Sequence, residues 1–172
     1  MAHFTTTLET KARAVDAFSY LANFANARHW DPTVTHARRI GRRPIGEGSR
    51  FEIELGTRLR PIRLSYTLTR YEPYRLIMLE AETSFFRSLD TIEIEEQSSG
   101  ARVHYDADLR PYGAVVLFDL PMHLAFQLSG RRSARGLARA LDGLATRNAP
   151  KRARRKRAAS AKSSRHTRSA AG

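Results

Sequence analysis

For about eighty residues, beginning at Val34, apolar and polar side chains of this chain take turns with a period of two. Phe51, Ile53 and Leu55 alternate with Arg50, Glu52 and Glu54, and Ile62, Leu64, Tyr66 and Leu68 alternate with Arg63, Ser65 and Thr67. Val103, Tyr105, Ala107 and Leu109 do the same against Arg102, His104, Asp106 and Asp108. Successive side chains of a strand point to opposite faces, so the pattern demands a sheet with one buried and one wet face. Turn signals at Gly46 to Gly48, at Glu72-Pro73 and at Ser98-Ser99-Gly100 cut it into pieces. With Val34 to Ile40, Leu76 to Thr83, and Phe86 to Glu96, where Asp90, Ile92 and Ile94 share a face, the pieces read as six consecutive strands of an antiparallel meander.

The flanks have other periods. His3 to Leu8 puts Phe4, Thr6 and Leu8 on one face and adds a first strand, making about seven. In "KARAVDAFSYLANFANARHWDP", Val15, Phe18, Leu21, Ala22 and Ala25 recur at helical spacing, which predicts one amphipathic helix ended by Asp31-Pro32. After Pro111 and Gly113 the helical period returns, first in Leu117, Leu120, Leu124 and Leu128, then in Ala134, Leu137, Leu141 and Leu144. Pro121 either starts or kinks that segment. The expected class is α+β: a sheet of about seven antiparallel strands with a long C-terminal helix over its apolar face.

Charge divides the chain differently. The end, "APKRARRKRAASAKSSRHTRSAAG", holds nine Lys or Arg and no acid. Taking those nine from the 30 Lys and Arg leaves 21 cations against 17 acidic residues, so the net charge of +13 belongs mostly to the tail. From Lys151 onward there is no aromatic, Leu, Ile, Val or Met to offset the entropy of ordering. Residues 1–147 are therefore expected to form one domain and 148–172 a disordered basic tail. The absence of Cys excludes disulfides, thiolate metal sites and a cysteine nucleophile. The start lacks the apolar core of a secretory signal, and no apolar run approaches the ~20 residues of a membrane span, so a soluble, cytoplasmic protein is expected.

The order of elements, together with "AVDAFSYLANFANARHWDPTV", "RIGRRPIGEGSRFEI", "YTLTRYEPYRLI", "SLDTIEIEEQSSGARVHYDADLRPYG" and "SGRRSARGLARAL", resembles the START-like (SRPBCC) superfamily, nearest its polyketide cyclase/dehydrase and lipid-transport branch. The resemblance spans Phe4 to Leu144. It implies the helix-grip fold, in which the curved sheet wraps the long C-terminal helix, and a deep apolar cavity between them. It implies, further, a ligand drawn from lipids, polyketides or other hydrophobic small molecules.

Asp90 is the most informative polar residue, since its strand phase aims it the same way as Ile92 and Ile94. A carboxyl directed into an apolar cavity should have a raised pKa and could bind a ligand or donate a proton; the alternative is a strand-end residue capped by Arg or water. Tyr66 and Tyr105 share apolar faces and need partners for their hydroxyls. Trp30 either plugs the end of the core or forms one wall of a ligand entrance. Its neighbours His29 and Asp31 read as surface, because adjacent side chains rarely face one another. His123 lies in an apolar stretch without a proton-transfer partner nearby, Asp106 and Asp108 face outward by parity, and the other histidines have no metal-ligand spacing. Gly46 and Gly48 do not make a dinucleotide loop, because position 51 is Phe and no helix follows. No G-x-S-x-G motif or phosphate-binding loop is present.

The expected function is non-enzymatic binding or transport of a hydrophobic small molecule, without metal or cofactor. The expected cavity residues are Trp30, Phe51, Ile53, Tyr66, Leu68, Met78, Asp90, Ile92, Tyr105, Phe118, Met122 and Phe126. One alternative is a cyclase or dehydratase with Asp90, Tyr66 and Tyr105 as its catalytic groups. The other is non-specific association with nucleic acid or an anionic membrane through Lys151, Arg152, Arg154, Arg155, Lys156 and Arg157.

Overall fold

Seven strands follow one another in a computed structural model that describes residues 2–57, 60–112 and 129–148. They are β1 (Ala2–Thr10), β2 (Val34–Ile40), β3 (Arg50–Thr57), β4 (Arg60–Glu72), β5 (Leu76–Glu82), β6 (Phe86–Gln97) and β7 (Gly100–Pro111). All pair antiparallel in one sheet of order β1-β7-β6-β5-β4-β3-β2. The meander expected from the alternation is thus continuous from β2 to β7. The first strand closes onto the last, with Phe4 opposite Ala107 and Thr6 opposite Tyr105. With a helix at 129–148, here α2, this is the helix-grip arrangement.

The apolar set of each alternating strand forms the buried face. Phe51 and Ile53 of β3, Leu64 and Leu68 of β4, Ile77 and Leu79 of β5, Ile92 and Ile94 of β6, and Val103 of β7 are all buried. On β5, Met78 and Glu80 take the outer positions while Ile77, Leu79 and Ala81 turn inward. Between Glu72 and Arg75 the turn places Tyr74 in the left-handed region (φ 68°), where its ring meets Phe18 edge to face at 5.7 Å.

The first helical segment differs from the expectation of one helix. α1 (Ala14–Ala22) stops at Asn23, and a 3-10 helix (Phe24–His29) carries the chain to Trp30. Its buried face is Ala14, Ala17, Phe18, Leu21 and Ala22, while Val15 and Ala25 are only half-buried. The change of helix type at Asn23 alters the turn from 3.6 to three residues, so one apolar stripe cannot run through both halves.

α2 buries Ser133, Leu137 and Leu141, a stripe at four-residue spacing. It lies so close to the Trp30 loop that a Cβ on Gly136 would stand 1.9 Å from the Trp30 carbonyl oxygen. Its later part is tied to β1: the buried Thr10 hydroxyl donates to Asp142 Oδ1 (3.0 Å) and accepts from the Ala12 amide (3.2 Å). Thr10→Val is expected to lower stability by about 1–2 kcal/mol in a urea titration, because it leaves a buried N–H without its acceptor. Leu117, Leu120, Pro121, Leu124 and Leu128 fall outside the described residues, as does the basic tail. No described helix is long and apolar enough to cross a membrane.

Candidate functional site

Between the sheet and α2 lies a cavity of about 310 Å³. Phe4, Ile53 and Ala107 line it from the sheet, Phe24 and Trp30 from the 3-10 helix and the residue after it, and Leu137 from α2. Small residues keep the α2 wall back: Ser129, Gly130, Ser133 and Ala134 all border the space. A larger side chain at Gly130 would meet the Phe4 ring, 2.5 Å from the position of an added Cβ. The aromatic groups are locked together edge to face, Phe24 with Tyr66 at 4.9 Å and Trp30 with Tyr105 at 5.9 Å.

One end of the cavity is polar. Asp90 lies opposite Ala107 of β7, and Ser88 lies opposite Ala81 of β5, so methyl-sized neighbours leave room above both. Tyr105, diagonal to Asp90 across β6 and β7, donates its hydroxyl to Asp90 Oδ1 at 2.5 Å. The Ser88 hydroxyl donates to Asp90 Oδ2 at 3.3 Å, and Tyr66, reaching over Ala81, donates to Ser88 Oγ at 3.0 Å. Four polar side chains from β4, β6 and β7 therefore form one buried chain that ends on a carboxyl.

Desolvation dominates the electrostatics of this chain. Burial raises the Asp90 pKa to about 6; the hydroxyls of Tyr105, Tyr66 and Ser88 pull against it, and the Asp31 charge adds to it. Burial, reinforced by the Asp90 charge, pushes Tyr105 well above its usual 10. Tyr66 rises well above 10 for the same two reasons. Both phenols are consequently neutral donors at physiological pH, while Asp90 changes charge just below neutrality.

The structure brings together Trp30, Ile53, Tyr66, Asp90 and Tyr105 of the residues expected from the sequence. Asp90 is mid-strand and bonded to hydroxyls rather than capped by arginine at a strand end. Phe51, Leu68 and Ile92 share the buried face but stand in the packed core beside the cavity. Met78 belongs to the outer face of β5, where strand parity keeps it from the cavity. Phe118, Met122, Phe126 and His123 lie outside the described residues. Asp31, read from the sequence as surface, borders the cavity, its Oδ1 accepting from the Thr33 amide (2.9 Å) and hydroxyl (2.7 Å). His29 is exposed.

Asp106 and Asp108 occupy the outer face without forming a two-carboxylate site. Asp106 meets His3 at 2.5 Å, and the buried Asp108 meets Arg110 at 2.8 Å. Among the described residues no three His, Asp or Glu side chains converge as metal ligands. Sequence reasoning missed Ser88, although it stands two residues before Asp90 and so on the same face.

The fold has many solved counterparts. The di-domain ARO/CYC StfQ of the steffimycin biosynthetic pathway superposes with a TM-score of 0.66 at 15% identity, covering 87% of this chain and 52% of that one. A protein of Thermus thermophilus gives 0.65 at 11% identity, over 81% of this chain and 95% of that one. A START superfamily protein from Mycobacterium smegmatis gives 0.55 at 16% identity, over 78% and 99%. At such identities the likeness is one of fold. No curated protein sequence matches the chain. A family profile, that of polyketide cyclase/dehydrase and lipid transport, matches residues 1–147, and the chain belongs to that family.

Proposed function

We propose that the protein binds a hydrophobic small molecule, lipid or polyketide-like, in this cavity without transforming it. The observation that carries the reading is the cavity's asymmetry: apolar and aromatic walls, with its hydrogen-bonding chain of Tyr66, Ser88, Asp90 and Tyr105 confined to one end. At about 310 Å³ it is near the lower end of the roughly 300–1,000 Å³ of small-molecule sites. Apolar burial at ~25 cal/mol per Å² would supply affinity, and one polar group of the ligand would be oriented at the polar end.

Native mass spectrometry of freshly purified protein, with melting temperatures against a panel of hydrophobic compounds, tests the reading. A co-purifying or stabilising hydrophobic compound supports it, and none of either would sink it. Ala107→Leu, which adds three carbons to the wall opposite Asp90, should weaken binding of such a compound at least tenfold, on the order of 1.4 kcal/mol. Equal affinity would place the ligand elsewhere.

A cyclase or dehydratase reading has one observation in its favour, the buried Asp90 carboxyl in the cavity wall, whose pKa burial raises to about 6. Against it, each Asp90 oxygen already accepts from a protein hydroxyl. Turnover of a polyketide-like substrate that is lost in Asp90→Asn, with binding retained, would reverse the preference.

A further inference from the structure

Trp30 and Asp31 line a second space, an open groove of about 1020 Å³ between residues 28–32, at and just after the end of the 3-10 helix, and α2. Arg132, Arg135 and Arg139 recur at three and four residues, so they form one stripe of α2, and Arg28 joins them from the end of the 3-10 helix. Several surface arginines of the sheet are neutralised in place, Arg38 by Glu52, Arg63 by Glu54 and Arg87 by Glu80. Those of the groove are not. All four guanidinium groups are exposed, and none makes an ion pair among the described residues. Among the described residues Arg135 and Arg139 bond backbone carbonyls one turn back, and Arg28 Nε bonds the His29 ring. The one carboxylate among the described groove residues, Asp31, has an oxygen engaged by Thr33. Four cations against one carboxylate among the described groove residues leave an excess of positive charge suited to an anion, and the guanidinium fork suits phosphate oxygens.

The setting of the groove selects the kind of anion. The same segment continues into Thr33 and Val34 at the cavity, where the Thr33 carbonyl accepts from the Gly56 amide at 3.0 Å. Ile62, also at that rim, is 52% exposed. Clustered cations next to an exposed apolar side chain and an apolar cavity match the headgroup layer of an anionic bilayer. Single-stranded nucleic acid would need aromatic faces for stacking, and among the described groove residues the only aromatic ring besides His29 is the buried Trp30.

We propose that this groove docks the protein on anionic phospholipid surfaces, its arginines holding headgroup phosphates with the cavity rim against the bilayer. The choice of a bilayer rests on the hydrophobic-ligand reading above; the preference for an anion rests on the charges alone.

The full chain, tail unchanged, is compared with Arg132→Gln/Arg135→Gln/Arg139→Gln in sedimentation with phosphatidylcholine vesicles with and without phosphatidylglycerol. The variant should bind the phosphatidylglycerol vesicles about 100-fold more weakly, with unchanged melting temperature and unchanged uptake of a fluorescent fatty acid. If the triple variant fails to fold, Arg132→Gln and Arg139→Gln separately should each lose about fivefold. Wild-type vesicle affinity in the variants overturns the proposal. So does release of the wild-type protein by inorganic phosphate at constant ionic strength, which marks a free-phosphate site, or a loss confined to duplex DNA, which marks a nucleic-acid surface. A wild-type protein that takes up no fluorescent fatty acid speaks against the cavity reading, while the vesicle comparison still decides the groove.

Discussion

Gly136→Ala is expected to destabilise the protein by about 3 kcal/mol, whereas Gly143→Ala, two turns later in the same helix, should stabilise it by about 0.5–1 kcal/mol. The chemistry of the two changes is identical, so only the surroundings differ. At Gly136 the new methyl lands 1.9 Å from the carbonyl oxygen of Trp30 and 2.9 Å from its carbon, both backbone atoms that no rotamer change can move aside. Relief requires α2 or the loop to shift, and that strain outweighs the gain in helix propensity. At Gly143 nothing lies within 4 Å of the added carbon. Denaturant titrations of both variants measure the difference. Equal stability would mean that α2 is not seated on Trp30, and the cavity wall built from Ser133, Ala134 and Leu137 would have to be redrawn.

The second large effect is one of pH. Asp90 has its pKa raised in the folded protein from 3.8 to about 6, so the native state holds this proton more tightly than the unfolded chain does. The stability it contributes is present below about pH 4 and is lost as pH rises through 6, a change of about 3 kcal/mol. Asp90→Asn cannot titrate, yet its carbonyl still accepts from Tyr105. Subtracting variant from wild type cancels every other titrating group. The wild type should lose about 3 kcal/mol relative to the variant between about pH 4 and pH 7, with parallel behaviour beyond. Denaturant midpoints at unit steps of pH give the curve. A difference that does not change with pH would show that Asp90 is not held as a desolvated carboxyl.

The alternation of single residues was enough to read the strands, and for a physical reason: one face of this sheet is buried and the other is wet, so each residue declares its side. The reading fails where that contrast disappears. In β5 the run Leu76, Ile77, Met78, Leu79 is apolar throughout, and alternation offers no reason to place Met78 outside. In the first helical segment the change at Asn23 to a tighter helix ends one phase and begins another.

Within the buried face a second distinction stays hidden. Ile53, Tyr66 and Asp90 border the cavity, while Phe51, Leu68 and Ile92, each two residues away on the same strands and face, lie in solid packing. Parity is the same for both sets. What separates them is where the 3-10 helix and α2 cross the sheet, and that is settled by contacts distant in sequence, such as Gly136 on Trp30. Ser88 was legible in principle, since it shares Asp90's parity. The joining of Tyr66 to it was not, because that bond spans a whole strand.

The pairing of β1 with β7 has a consequence for the chain as it is made. Ala2 takes Leu109 as its partner and Thr10 takes Ala101, so the first strand leaves the ribosome roughly a hundred residues before its mate. At ~5–20 residues per second that is a wait of about 5–20 s. Through that interval β2 to β6 can pair neighbour by neighbour, but the earliest strand has nothing to pair with. Its polar positions, Thr5, Thr7 and Glu9 between Phe4, Thr6 and Leu8, keep it from being a continuous sticky segment while it waits. The ladder that puts Phe4 beside Ala107 thus waits for β7, so the sheet wall of the pocket is finished only when the first and last strands of the chain meet.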